Sequence, residues 1–318
     1  ATNWNSVATG EGFALAVKDN GTLWSWGYNN LGQLGDGTTT NKIVPTQVGT
    51  ATNWQSVAAG SGFSLAIKTN GTLWAWGSNL YGQLGNGTTT NLSVPTQIGS
   101  ENDWANVAAG YYHSVGRKSN GILMTWGNNV YGQLGDGTTI NKNTPVAVYD
   151  GVQSIDAGWN YTVGTTTFGN MLLTGQNVYG QLGDGTIENR SWVALTNSTN
   201  HLQISAGAFH TLSLNVDGSL KVCGLNGQGR LGDGTTIDRI TLTPIACPTN
   251  NLGIGDFTET NTVKVYPNPV NDILTISFEH GISSVSIYNL LGQEVFSRSI
   301  NANETTIDVS TLASGTYM

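Results

Sequence analysis

The segment Asn70–Thr88, NGTLWAWGSNLYGQLGNGT, decides how the chain is read, because its parts recur at a nearly fixed distance. The string GQLGDGT or a close variant begins at Gly32, Gly82, Gly132, Gly180 and Gly229, at intervals of 50, 50, 48 and 49 residues. Upstream of it stand NGTLWSWG from Asn20 and NGILMTWG from Asn120. Further upstream come SVATG, SVAAG, NVAAG, SIDAG and QISAG, ending at Gly10, Gly60, Gly110, Gly158 and Gly207. A period of this length marks a repeat architecture, in which one unit cannot bury its apolar face alone and must stack on the next.

Within the second unit, Ser56–Ala59 is short and apolar, and Phe63–Lys68 alternates as a half-buried strand does. Asn70-Gly71 predicts a tight type I′ hairpin turn, and Thr72–Trp76 answers as the next strand. After the glycine-rich loop Gly82–Thr90, Val94–Ile98 fits an outer strand, where the N–H that Pro95 lacks is not needed. Four short strands per unit make a propeller blade. Residues 1–247 are therefore predicted to form a five-bladed array, each blade with an Asn-Gly or Asp-Gly hairpin between its second and third strands. The Trp-x-Trp pair gives way to Leu172 and Thr174 in the fourth unit and to Lys221 and Cys223 in the fifth, so packing between blades should differ there.

The pattern of Ala-Gly followed by an aromatic or His, then NGxLWxWGxNxxGQLGxGT, then Pro with a β-branched neighbour, resembles the regulator-of-chromosome-condensation repeat. Known members of that family form seven-bladed propellers, and five units are present in this chain. Ala1-Thr2-Asn3-Trp4 repeats Ala51-Thr52-Asn53-Trp54, which places residue 1 inside a repeat array.

After Pro248 the repeat stops. Residues 248–262 read as a polar linker, and residues 263–318 alternate as strands broken by Pro-Asn-Pro, Asn-Leu-Leu-Gly and Ala-Ser-Gly, the pattern of a small immunoglobulin-like β-sandwich. The fold expected is thus all-β: a propeller, then a sandwich. Tyr266-Pro267-Asn268-Pro269, Asp272 before the apolar Ile273–Ile276, Tyr288-Asn289 with Gly292, and Leu312 through Gly315 and Tyr317 resemble the type A C-terminal sorting domain of the type IX secretion system of Gram-negative bacteria. Family members run on for about one more strand, so the domain is expected to be truncated at Met318. The resemblance implies contact with the secretion machinery, a signal peptide in the precursor, and a secreted or outer-membrane surface-attached product.

Lys and Arg number 12 against 20 Asp and Glu, a net charge of -8, with no basic cluster, which argues against nucleic acid and anionic membrane surfaces as partners. No apolar run reaches the length of a spanning helix, so membrane insertion is not expected. Cys223 and Cys247 could pair in an oxidising compartment or stand as two buried thiols. The Asp of GDGT (Asp36, Asp136, Asp184, Asp233, with Asn86 in the second unit) lacks a second clustered carboxylate, so turn chemistry explains it better than calcium, and no metal or cofactor is expected. His113 and His210 share a slot with Phe13, Phe63 and Tyr161, which reads as a packing position. With no recurring Ser or Asp partner and no nucleophile elbow or phosphate loop, no catalytic residue is assigned and no enzyme activity is expected.

The two residues after each Ala-Gly should form the tip between the first two strands, on one propeller face. They turn aromatic in the later units, giving Tyr111, Tyr112, Trp159 and Phe209 as candidate ligand-binding residues, with the alternative that they fold down onto neighbouring blades. Tyr81, Tyr131 and Tyr179 recur in phase and read as structural. The expected function is recognition of a protein or polysaccharide by a secreted or surface protein. Two family precedents frame alternatives. A secreted bacterial member inhibits β-lactamases through aromatic loops, whereas eukaryotic members include guanine-nucleotide exchange factors, whose cytoplasmic GTPase an exported acidic protein would not meet.

Overall fold

The computed structural model describes residues 2–196, 200–245, 263–267, 270–289, 293–313, 315 and 317. The chain divides into two compact units, Ala1–Ala246 and Cys247–Met318. The first holds five four-stranded antiparallel sheets, each paired in chain order. The second sheet comprises Trp54–Ala59, Phe63–Lys68, Leu73–Gly77 and Leu92–Gln97. The others run from Trp4 to Gln47, Trp104 to Tyr149, Val152 to Leu195 and His201 to Pro244. We call them blades 1 to 5. The first strands of successive blades touch one another, so they form the inner edge. The fourth strands, each the edge strand of its sheet, carry Pro45, Pro95 and Pro145, where a lost donor has no sheet partner to leave unpaired.

The hairpin between second and third strands departs from the expected type I′ form. Gly71 N–H donates to the Lys68 carbonyl at 2.8 Å and Lys68 N–H to the Thr72 carbonyl at 3.1 Å, and only Gly71 has a positive φ (76°). This is a type I turn closed by one left-handed glycine, a three-residue loop. Asn70 instead braces the turn through its side chain, whose Oδ1 accepts from the Thr72 hydroxyl at 2.8 Å. Since the geometry demands glycine and not the residue before it, blade 4 makes the same turn with Phe168-Gly169 in place of Asn-Gly or Asp-Gly.

The core lies between blades rather than within them. One cluster joins Phe13, Leu15 and Leu34 of blade 1 to Trp54, Val57 and Trp76 of blade 2. The next joins Phe63, Leu65 and Leu84 to Trp104 and Trp126. Val115 and Leu123 then meet Val152 and Leu172, and Tyr161 and Val163 meet Ile204. Backbone bonds stitch the same seams, since the first-strand N–H of Trp54, Trp104, Val152 and His201 donates to the turn glycine of the preceding blade, Gly21, Gly71, Gly121 and Gly169.

At three of the four seams a single GQLG carbonyl accepts two donors from the following blade, and at the seam between blades 3 and 4 the donors divide between Gln133 O and Gly132 O. Gln33 O receives the Ser64 hydroxyl at 2.7 Å and the Trp76 indole at 2.9 Å, and Gln83 O receives Ser114 and Trp126 at 2.7 and 2.8 Å. Where the Trp is missing, Thr174 Oγ1 donates to Gly132 O at 2.8 Å, and the Cys223 thiol lies 3.4 Å from Gln181 O. Cys223 is a buried free thiol whose pKa burial pushes up to about 12, while Cys247 lies outside the described residues. Residues 248–262 of the expected linker do as well.

In the second unit, Lys264–Tyr266, Ile273–Tyr288 and Glu294–Asp308 form an antiparallel three-stranded sheet. Ile276, Ile287, Ile307 and Val309 fill its apolar side. A further bridge pairs Asn289 with Tyr317.

Candidate recognition face

Each blade's first two strands meet in a two-residue loop, closed in blade 2 by Gly60 N–H donating to the Phe63 carbonyl at 2.9 Å. A side chain at Gly60 would strike the Phe63 ring, and one at Gly110 the His113 ring, which is why Ala-Gly precedes these tips. The tips are tied to each other as well. Ser61 N–H donates to the Tyr111 carbonyl at 3.2 Å, Tyr111 N–H to the Trp159 carbonyl at 3.0 Å, and Trp159 N–H to the Ala208 carbonyl at 3.3 Å. Four blades therefore hold their tips in a fixed mutual arrangement.

The four expected residues come together. Tyr111 and Tyr112 rings lie 4.5 Å apart, Tyr111 and Trp159 4.9 Å, and Trp159 and Phe209 4.9 Å. Two tyrosines read as structural extend the row: Tyr81 stacks 4.9 Å from Tyr112, and Tyr179 lies 5.3 Å from Phe209. Their recurrence in phase pointed to packing, but the loop before GQLG comes up on the same face as the tips, so recurrence and exposure coexist. Trp159 remains 45% exposed, whereas Trp126 in the neighbouring seam is fully buried.

Inside the row is an axial depression of about 370 Å³, lined by the Ala-Gly strand ends with Glu11, Ser61, Tyr111 and Trp159. Glu11 was not singled out by sequence. Its Oε2 accepts the Ser61 hydroxyl at 2.7 Å and the Tyr111 hydroxyl at 2.8 Å. These two bonds, Ser61 first, hold its pKa below the usual carboxylate value, and the bond to Glu11 raises that of Tyr111.

The other polar candidates serve the scaffold. His113 is buried, with Nε2 3.0 Å from Thr162 Oγ1, and burial drives its pKa down to about 3. His210 is lowered by burial too. Asp36 Oδ1 accepts the Thr38 amide and hydroxyl and Asn29 Nδ2, and its Oδ2 pairs with Lys42 at 3.0 Å. Asp136 pairs with Lys142, Asp184 with Arg190 and Asp233 with Arg239 in the same way. In the C-terminal unit, Tyr266 is exposed and joined to Pro267 by a cis peptide, and Tyr317, beyond Gly315, donates its hydroxyl to the Ala313 carbonyl at 2.7 Å. Asn268 and Pro269 lie outside the described residues.

The RCC1-like domain model matches residues 1–263, and the secretion system C-terminal sorting domain model matches residues 264–318. Among solved structures, human WBSCR16 superposes with a TM-score of 0.70 at 24% identity, over 77% of this chain and 67% of that one. Yeast RCC1 (Prp20), in a structure with Kap60 bound, gives 0.67 at 18% identity, over 80% of this chain and 61% of that one. Prp20p from Saccharomyces cerevisiae, described with its binding to Gsp1p and histones, gives 0.62 at 22% identity, over 87% and 70%. At these identities the likeness is one of fold.

Proposed function

Because the chain belongs to the RCC1-like domain family and ends in a secretion sorting domain, we propose that it is an exported, non-catalytic recognition protein whose tip face binds a protein or glycan ligand. The sorting domain makes it a substrate of the type IX secretion system, destined for release or for the outer-membrane surface of a Gram-negative bacterium. The observation that carries the binding role is the aromatic row Tyr81, Tyr112, Tyr111, Trp159, Phe209 and Tyr179, continuous across blades 2 to 5 and fixed by the backbone ladder between tips. Large aromatics held rigid in the free protein lose little freedom on binding, which is how a few side chains come to dominate an interface.

A non-catalytic role agrees with the state of the ionisable groups, since His113 is neutral and sealed, and Asp156 binds the Ala157 and Ala206 amides at 2.8 Å each. The basic side chains Lys42, Lys142, Arg190 and Arg239 are each neutralised by an Asp, which leaves little charge for a phosphate backbone.

The test is Trp159→Ala in the full chain, screened beside the parent on a glycan array and against proteins of the growth medium. Binding should weaken by about 2 kcal/mol or more with little change in thermal stability. A variant that unfolds, or that keeps every ligand at parental affinity, rules the face out. Deleting 263–318 from the secreted precursor should leave the propeller folded but retained in the periplasm, and normal secretion of the deleted form would contradict the export role.

A further inference from the structure

At the axial mouth the aromatic row meets a carboxylate that is only half used. Both of its hydrogen-bond donors, Ser61 and Tyr111, go to Glu11 Oε2, and no donor among the described residues reaches Oε1. Held ionised by those two bonds, Glu11 is the one acidic side chain in the lining of the depression, which contains no basic one. Tyr111 and Trp159 stand beside it as aromatic walls, over a floor of alanine and glycine.

Carboxylates and aromatic rings already bind cations elsewhere in this fold. Lys118 Nζ lies 3.8 Å from the Trp104 ring centroid, with Glu101 and Asp103 at 2.5 and 2.6 Å. Lys68 Nζ sits 3.9 Å from the Trp74 ring. Those sites are filled from within the chain. At the mouth the carboxylate and the rings are present and the cation is not supplied.

We propose that the axial mouth receives an arginine side chain projecting from a protein partner, its guanidinium bonded to Glu11 Oε1 and stacked on Tyr111 and Trp159. This rests on the reading of the tip face as the recognition surface and names what the face selects. A guanidinium suits the site better than an ammonium because it is planar, stacks on rings and is less strongly hydrated. The overall charge of -8 draws cationic partners by the same sign preference. A neutral glycan would use the rings but gain nothing from the ionised oxygen beyond an ordinary hydrogen bond.

The experiment follows the indole N–H resonance of Trp159 in the full ¹⁵N-labelled chain, assigned by its loss in Trp159→Phe. Three probes are titrated: N-acetyl-arginine methylamide, the citrulline counterpart of similar shape and no charge, and cellohexaose. The arginine probe should shift the resonance saturably, citrulline should bind about tenfold more weakly, and Glu11→Gln should weaken the arginine probe by about tenfold. Unchanged indole signals of Trp76 and Trp126 show that Glu11→Gln keeps the seams intact. Equal response to citrulline, or indifference to Glu11→Gln, overturns the charge selection. If cellohexaose shifts Trp159 and the arginine probe does not, the cation proposal fails while the recognition face stands. If no probe shifts it, the proposal fails, and the Trp159→Ala screen decides the face on its own.

Discussion

The seam between blades 2 and 3 and the seam between blades 4 and 5 solve one packing problem with different side chains. In the first, Trp126 fills the wedge from the third strand and its indole N–H bonds Gln83 O. In the second, the equivalent Cys223 is too small to fill it, and Leu242 of the outer strand approaches the space above Gly183 beside the thiol. Val193 does the same beside Thr174 above Gly135. What stays fixed is the acceptor: Gln83 O and Gln181 O each also take a second-strand hydroxyl at 2.7 Å, from Ser114 and Thr211. A seam therefore needs its carbonyl bonded and its volume filled, and it accepts the volume from either of two strands.

The contrast breaks most sharply by mutation of the fillers. Trp126→Ala should cost about 4 kcal/mol, read by urea unfolding of the full chain, since a fully buried indole and its hydrogen bond go together. Cys223→Ala should cost about 1 kcal/mol, because Leu242 remains. Similar losses at both sites would mean that the outer strand carries none of the load.

The turn glycines sharpen it next. Gly71 has φ +76°, and a Cβ there would strike the Asn102 carbonyl of the following blade, whereas Gly218, φ +81°, has open space around it. Gly71→Ala should then lose about 3 kcal/mol and Gly218→Ala about 1 kcal/mol, the cost of a left-handed alanine alone. Thermal unfolding of the two variants separates the terms.

The smallest effect is set by pH. Burial alone would raise the Asp136 pKa, but the Thr138 hydroxyl and amide, Asn129 and Lys142 outweigh it and bring it below the ordinary value. A carboxylate lowered in the folded state stabilises above its unfolded pKa of about 3.9, and that contribution is lost as pH falls through the folded value. Amide exchange protection at Thr138 should accordingly fall by roughly threefold between about pH 5 and pH 2.5. Thr88, whose partner is the neutral Asn86, should keep its protection and serves as the internal reference.

Most of the fold was readable because the repeat is sequential: spacing, strand alternation and the outer prolines each determine a local outcome that tertiary contacts do not override. The turn type was misread because Asn-Gly is a statement about a dipeptide, whereas the Lys68 to Thr72 bonds set a loop one residue longer. On the proposed recognition face, the tip aromatics were legible as departures from the repeat. Tyr81 and Tyr179 were not, since they conform to it, and Glu11 was hidden because its partners stand 50 and 100 residues away on other blades. Only the stacking of blades 1, 2 and 3 side by side brings them together.

The GQLG carbonyls add an order in time. At the seams described, the acceptor belongs to the earlier blade and its donors to the later one: Ser64 and Trp76 come 31 and 43 residues after Gln33, and Ser114 and Trp126 the same distances after Gln83. An exported chain that emerges into the periplasm from its N-terminus presents each acceptor loop first and delivers its donors within the next repeat. Each seam can thus close while the following unit is still emerging, and the array grows by successive additions to a folded edge.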